Sequence, residues 1–311
     1  MVVVDKPSGW TSHDVVGRCR RIFGQRRVGH AGTLDPSATG ILVVGLGRAT
    51  RLLRFLTELP KSYTGQIVLG VATTTLDADG EVTGRWDLSG VDEADVHRAA
   101  ARLTGPIEQV PPMVSAVKVA GRRLHELARA GIEVDRAPRP VTVHRFELRP
   151  GAEPGVWEAE VTCSSGTYVR VLAADLGGAL GGGAHLRGLR RTAAGSFTLA
   201  DARTLEDVAV APAEAVLSPA RAMSAYPGVA VGDELAAAVR HGRPLGAARL
   251  GVDDVAGGPW AVHDAAGQLL AVYEFRALYD PAPGDRPPGE GLDGDDGPRL
   301  YPAVVLDVGP G

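Results

Sequence analysis

The segment RRVGHAGTLDPSATGILVVGLGRATR, residues 26–51, sets a lone carboxylate in a loop between a basic stretch and an apolar run. Val28 to Ser37 reads as loop, rich in Gly and polar residues. Glycines at 29, 32 and 40 permit close backbone approach there, and Asp35 stands directly before Pro36. Ile41 to Gly45 follows as an apolar strand, and Thr50 to Leu59 as a short helix. By itself Asp35 can equally be a residue that caps a turn.

N-terminal to this segment, Val2–Val4 is a short buried strand and Lys6-Pro7-Ser8-Gly9 a turn. Ser12 is placed to cap a helix through Val15, Val16, Cys19 and Ile22 that ends near Gly24. Lys61 to Val71 alternates as a strand does, Asp79-Gly80 is a hairpin signal, and Glu81 to Trp86 answers it. Val91 to Leu103 has helical period. Gln109 to Pro140 is proline-flanked and basic, with a helix expected over Arg123–Ala130, and reads as an inserted thumb. Strands return at Val141–Leu148 and Trp157–Cys163. Tyr168 to Leu180 begins extended and turns helical, and Ala184 to Thr198 closes the pattern. Strands and helices mix without a regular βαβ period. The expected class is α+β, with a mixed, largely antiparallel central sheet and flanking helices. Beyond about residue 222 come short strands (260–263, 265–267, 269–275, 302–308), a small β-rich domain. The expected division is 1–221 and 222–311, with the Pro-, Gly- and Asp-rich segment 280–299 a disordered loop.

Hydrophobic residues make 44% of the 311 and charged residues 23%, as in a chain that buries a proper core. No apolar run reaches the ~18–20 residues of a membrane span, and Asp5 and Lys6 interrupt any signal-like stretch, so a cytoplasmic protein is expected. Two cysteines, Cys19 and Cys163, are too few for a disulfide framework or a zinc site. The net charge of −4 is unevenly spread. Nine Lys/Arg stand against Asp14 and Asp35 between Lys6 and Arg54, whereas seven acids face Arg286 and Arg299 after residue 279. The N-terminal half can therefore meet phosphate while the tail masks its charge in the total.

There is no GxxxxGK[ST] loop, no HExxH and no GxSxG. Asp77-Ala78-Asp79-Gly80 is not a calcium loop, because Trp86 stands where the bidentate acid should be. The informative pattern is a set of blocks in order: DKPSGWTSHDVV (5–16), residues 26–51, KSYTGQIVLGVATTTLDADG (61–80), PPMVSAVKVAGRRLHELARAGIEV (111–134), SSGTYVRVLAADLG (164–177) and GAHLRGLRRT (183–192). Together they resemble the bacterial tRNA pseudouridine-55 synthases, the TruB family, over roughly residues 3 to 210.

The resemblance implies isomerisation of a T-loop uridine to pseudouridine, with no metal or other cofactor, on tRNA held by its T-arm and without an obligate protein partner. It implies Asp35 as the catalytic carboxylate, which attacks C1′ or takes the 2′-proton, with Arg170 keeping it ionised. The period of a strand over Thr167–Arg170 would put Tyr168 and Arg170 on one face. Tyr63 is implied to stack on the flipped base and to share in C5 deprotonation, although a phenol near ~10 is a poor base. Asp77 matches a pocket acid; a second acid, common three residues earlier, is Thr74 here. His30 can touch a T-loop phosphate, hold a neighbouring flipped base, or be loop structure only. RNA contacts are expected from Arg122, Arg123 and Arg129 in the insertion and from Arg187, Arg190 and Arg191, which share a face if helical. GDELAAAVRHGRPL (232–245) resembles the start of a PUA-type RNA-binding domain. Two alternatives stay open: a guide-RNA-dependent synthase, and a non-catalytic RNA-binding or folding factor on the same fold.

Overall fold

The computed structural model describes residues 1–115, 118–119, 121–124, 131–132, 134–275 and 298–306. Apart from their ends, the helix expected over 123–130 and the segment 280–299 lie outside the described residues, as does Arg129.

The two valine-rich runs near the N-terminus, β1 (Val2–Lys6) and β3 (Thr39–Leu46), pair antiparallel with Val3 opposite Val43. Between them lie α1 (Ser12–Ile22) and β2 (Val28–Ala31). The residue that caps α1 is Thr11, in a capping box with Asp14, and not Ser12, whose side chain is buried. A 3-10 turn over Gly47–Leu52 precedes α2 (Leu53–Glu58), in place of one continuous helix. The chain continues through β4 (Lys61–Leu69), β5 (Val71–Thr73), β6 (Val82–Arg85), α3 (Glu93–Arg102), β7 (Gly105–Gln109), β8 (Lys118–Val119) and β9 (Arg122–Arg123). It returns in β10 (Arg139–Pro150), β11 (Val156–Cys163), α4 (Val169–Ala179), β12 (Ala184–Ala194) and β13 (Phe197–Thr198).

Among the described residues these strands build a nine-stranded sheet in the order β1-β3-β12-β4-β11-β10-β7, with β2 on β3 and β13 on β12. Its pairings are antiparallel except β12 with β3, which touch only at Arg190–Thr39 and Arg191–Gly40. Gly40 makes that approach possible: its φ is +97°, and a Cβ there would lie 2.2 Å from the Arg191 carbonyl oxygen. Two expectations change. Residues 28–31 are strand, not loop. β4 does not fold back on 81–86 but enters the sheet between β12 and β11, and only β5 answers β6. Alternation marks a strand; it does not choose the partner.

The chain leaves the sheet after Gln109 and re-enters at Arg139, which pair directly, so the inserted stretch springs from one sheet edge. Helices α3 and α4 cover the half of the sheet made by β4, β10 and β11 through Leu172, Leu176, Trp157 and Val161. The C-terminal part is a five-stranded sheet in the order β14 (Gly228–Ala230), β16 (Trp260–His263), β17 (Leu269–Phe275), β18 (Arg299–Val305), β15 (Leu245–Gly246). It packs on the N-terminal sheet through a shared core in which Met1, Val3, Ile41 and Phe55 meet Leu269, Val272, Val304 and Leu306. Arg48 and Arg51 donate to the carbonyls of Leu306 and Val305, and Arg54 pairs with Glu274.

Candidate active site

Where β12 turns away from β3 and β2 takes its place, the sheet splits, and the loop 32–38 crosses the opening. Three side chains from three elements hold that loop. Lys6 of β1, fully buried, donates to the carbonyls of Pro7 (2.9 Å), Trp10 (2.7 Å) and Pro36 (3.0 Å). Ser12 of α1 donates to the Leu34 carbonyl (3.1 Å) and accepts from the Leu34 N–H (2.9 Å). Arg191 of β12 donates to the carbonyls of Ile41 (2.6 Å), Gly32 (3.0 Å) and Thr33 (3.5 Å). Asp35 is thus presented by a backbone tied down on both sides, at the wall of a cavity of about 800 Å³. Asp77, Tyr63, Tyr168, Arg170 and His30 line the same cavity.

Arg170 organises the carboxylates. Its Nη1 lies 3.3 Å from Oδ2 of Asp35 and 3.3 Å from Oδ2 of Asp77, and its Nη2 donates to the Val114 carbonyl at 2.5 Å. Its side chain is 5% exposed, whereas that of Asp35 is 42% exposed, so the acid faces the cavity and the cation sits behind it. Asp77 Oδ1 accepts from Thr75 Oγ1 (2.5 Å) and from the Asp79 N–H (3.1 Å). One guanidinium serves two carboxylates, and it lowers the Asp35 carboxyl against a larger opposing effect. Enclosure by the cavity pushes its carboxyl up from the ordinary value, opposed by Arg170 and Lys6 and reinforced by Asp77 and Asp79. An acid required as its anion then fails earlier as pH falls. The single-turnover rate should drop along an acid limb centred above the ordinary 3.8 of aspartate; a limb at or below that value would show that the arginine outweighs burial.

Tyr168 and Arg170 do meet, with the guanidinium carbon 6.0 Å from the ring centroid, but not as neighbours on a strand. Tyr168 is the residue preceding α4 and Arg170 stands in that helix's first turn. Gln109 clamps the junction, accepting from the Tyr168 N–H (2.9 Å) and donating to its carbonyl (3.3 Å). Tyr63 faces the cavity from β4 with its phenol pushed up by burial, Arg191 only partly opposing this. It is therefore a neutral ring, suited to stacking and ill-suited to accept a proton unaided. His30 lies on β2 with its ring edge-on to His13 at 5.6 Å. Burial lowers it to about 4, so at neutral pH it carries no charge toward a phosphate.

The expected arginine track does not form. Residues 187–191 are strand, and their side chains diverge. Arg187 pairs with Glu153 (2.8 Å) and donates to Gln66 (2.7 Å); Arg190 forms two bonds to Asp5 (3.0 and 2.6 Å). Arg191 is 1% exposed and spent on the loop carbonyls. Its replacement by Leu strands up to three buried carbonyls, each costing ~1–3 kcal/mol. Arg191→Leu should destabilise by about 3–5 kcal/mol in urea unfolding; an unchanged midpoint would remove the pin from the account. In the insertion Arg122 is exposed, and the side chain of Arg123 is outside the described residues.

Sequence reasoning missed Lys6, Ser12, Gln109 and Lys61. Lys61 is 4% exposed and lowered by burial to about 8. A signal was present: the chain has three lysines against thirty arginines, and two of the three are buried here. Among the described residues no group of His, Cys, Asp or Glu forms a metal site, and no helix is long and apolar enough to cross a membrane.

Comparison with known proteins identifies the family. Residues 20–169 match the family described as TruB family pseudouridylate synthase (N terminal domain), and residues 170–220 the tRNA pseudouridylate synthase B C-terminal domain. A protein of Rhodococcus jostii (strain RHA1) named tRNA pseudouridine synthase B is 49% identical over 89% of this chain and 90% of its own. One of the same name from Thermobifida fusca (strain YX) is 53% identical over 72% of this chain and 82% of its own. Among solved structures, a chain of a Cbf5-Nop10-Gar1 complex superposes with a TM-score of 0.66 at 27% identity, covering 88% of this chain and 77% of that one.

Proposed function

The chain belongs to the TruB family of pseudouridylate synthases, and from that premise we propose that it isomerises a uridine in the T-loop of tRNA, with Asp35 as the carboxylate that acts at the sugar. The observation that carries the residue assignment is the shared cation: Arg170 contacts Asp35 and Asp77 together, and of the two only Asp35 is substantially open to the cavity. The reaction breaks C1′–N1, turns the uracil, joins C5 to C1′, and moves the C5 proton to solvent while N1 regains one. It needs no oxidant and no energy input. It does need the uridine out of its stack, at a cost of a few kcal/mol. Tyr63 offers a face for the flipped base, and Arg170 holds Asp35 in place while charge develops at C1′. Asp77, tied to Thr75 and the Asp79 amide, fixes the second side of the guanidinium.

The T-arm is the proposed handle, and the protein is proposed to act without an obligate protein partner. The T-arm is supported by the family blocks in residues 111–134, and tRNA as substrate by relatives of 46–55% identity named tRNA pseudouridine synthase B. The retained Asp35, Arg170 and Tyr63 argue against a pure RNA-binding or folding factor, which has no use for a carboxylate held against a buried cation. The decisive experiment incubates the protein with unmodified T-arm RNA labelled with tritium at uridine C5. One tritium released per RNA is expected, and none once the T-loop uridine is replaced. No release, or release that ignores that replacement, would overturn the reading.

A further inference from the structure

The N-terminal basic stretch divides into spent and unspent charges. Lys6 is buried on carbonyls, Arg20 donates to the Val28 carbonyl (3.2 Å), and Arg48, Arg51 and Arg54 bind the C-terminal sheet. Arg18, Arg21, Arg26 and Arg27 remain: all are exposed, and among the described residues none has a hydrogen bond or ion pair through its side chain. Arg18 has a nearby acid at helical spacing, Asp14, but that carboxylate is committed to the N–H (2.9 Å) and hydroxyl (2.6 Å) of Thr11. Residues 15–34 hold five arginines and no acid, in a chain whose net charge is −4. Such a concentration of like charge is unfavourable unless something anionic meets it.

Its place in the fold points toward the cavity. α1 begins at Ser12, whose hydroxyl exchanges hydrogen bonds with Leu34 beside Asp35, and His13 packs on His30 at the cavity wall. From Ser12 to Arg21 the helix runs about 13 Å at ~1.5 Å per residue. Arg26 and Arg27 follow in the connection that leads back into β2 and so to His30. We propose that Arg18, Arg21, Arg26 and Arg27 form a second RNA contact surface that holds the phosphate backbone of the substrate outside the flipped nucleotide. Its partner is a run of closely spaced phosphates on a structured RNA, which exposed guanidinium groups contact without reading sequence. This surface, and not the 187–191 strand, accounts for RNA binding by an acidic protein. The inference rests on the T-loop reading for the identity of the RNA, but not for the existence of the surface.

The test compares full-length wild type with R18Q/R21Q/R26Q/R27Q and with a control of equal charge loss on β6, α3 and β10, R85Q/R98Q/R102Q/R149Q. Each is measured for KM and kcat by tritium release, and for the salt dependence of tRNA affinity. The cluster variant should raise KM roughly tenfold or more with kcat retained, and flatten the log–log salt slope by ~0.7–0.9 for each phosphate the protein no longer neutralises. The control should keep the wild-type slope. An unchanged slope in the cluster variant overturns the proposal, even if that variant fails to retain some other polyanion such as an acidic polypeptide. So does an equal flattening in the control, which would make the effect one of net charge. A fall in kcat at constant KM also overturns it, since the cluster would then act on the site's structure. If wild type releases no tritium from T-arm RNA, the reading of the site fails, while the salt slopes still decide whether the surface binds RNA.

Discussion

Asp35→Asn is expected to abolish pseudouridine formation, by on the order of 10⁴-fold or more, the scale on which loss of an essential group in a catalytic unit is felt. Asn keeps the shape and can still accept from Arg170, but it can neither attack C1′ nor take a proton as an anion. The fold should survive. Burial raises the Asp35 carboxyl, so holding it ionised costs stability above its folded pKa, and that cost vanishes at acid pH. An uncharged amide removes the cost at neutral pH. The variant should therefore melt no lower than wild type and bind tRNA with similar affinity while tritium release disappears. Sustained multiple turnover by Asp35→Asn would remove Asp35 from the chemistry.

Arg170→Lys is the second large expected effect. Lys keeps the charge but offers a point donor in place of a planar fork. In this site the fork serves three acceptors at once: Asp35, Asp77 and the Val114 carbonyl. A lysine cannot span them, so one carboxylate or the carbonyl is left without its partner in a buried setting, at ~3–5 kcal/mol. At ~1.4 kcal/mol per tenfold in rate, that corresponds to roughly two to four orders of magnitude in kcat if the whole of it is felt in the transition state. Because the charge is retained, the acid limb of the rate profile should stay near its wild-type position. Arg170→Met, which removes a cause that lowers the Asp35 carboxyl, should move that limb upward as well as slowing the reaction. Near wild-type kcat in the lysine variant would reduce Arg170 to a background charge. An unmoved limb in the methionine variant would show that Arg170 does not set the ionisation of Asp35.

Much of the architecture was legible in local pattern. The valine runs at 2–4 and 41–45, the alternation at 61–71 and 141–163, and the helical period at 91–103 each mark an element within a few residues of its observed bounds. These signals depend only on which side chains must leave water. The absence of a βαβ period announced a mixed sheet, and one parallel pairing among antiparallel neighbours is what formed. Ordered blocks placed Asp35, Tyr63, Asp77, Tyr168 and Arg170 in one site, and these five line one cavity.

Partnership was not legible, because it is made between residues far apart in the chain. Arg191 sits in GAHLRGLRRT looking like a surface cation, yet the crossing of β12 and β3 at Gly40 turns it inward onto the carbonyls of residues 32, 33 and 41. Arg187 and Arg190 are neutralised by Glu153 and Asp5, which are 34 and 185 residues away. Asp35 follows the same logic: the ordered blocks implied that a carboxylate and an arginine meet, whereas the folded chain divides one guanidinium between two carboxylates at the wall of a cavity. On balance burial and the neighbouring acids raise the Asp35 carboxyl although Arg170 lowers it, and that one cation is shared with Asp77, a partnership that only the folded chain creates.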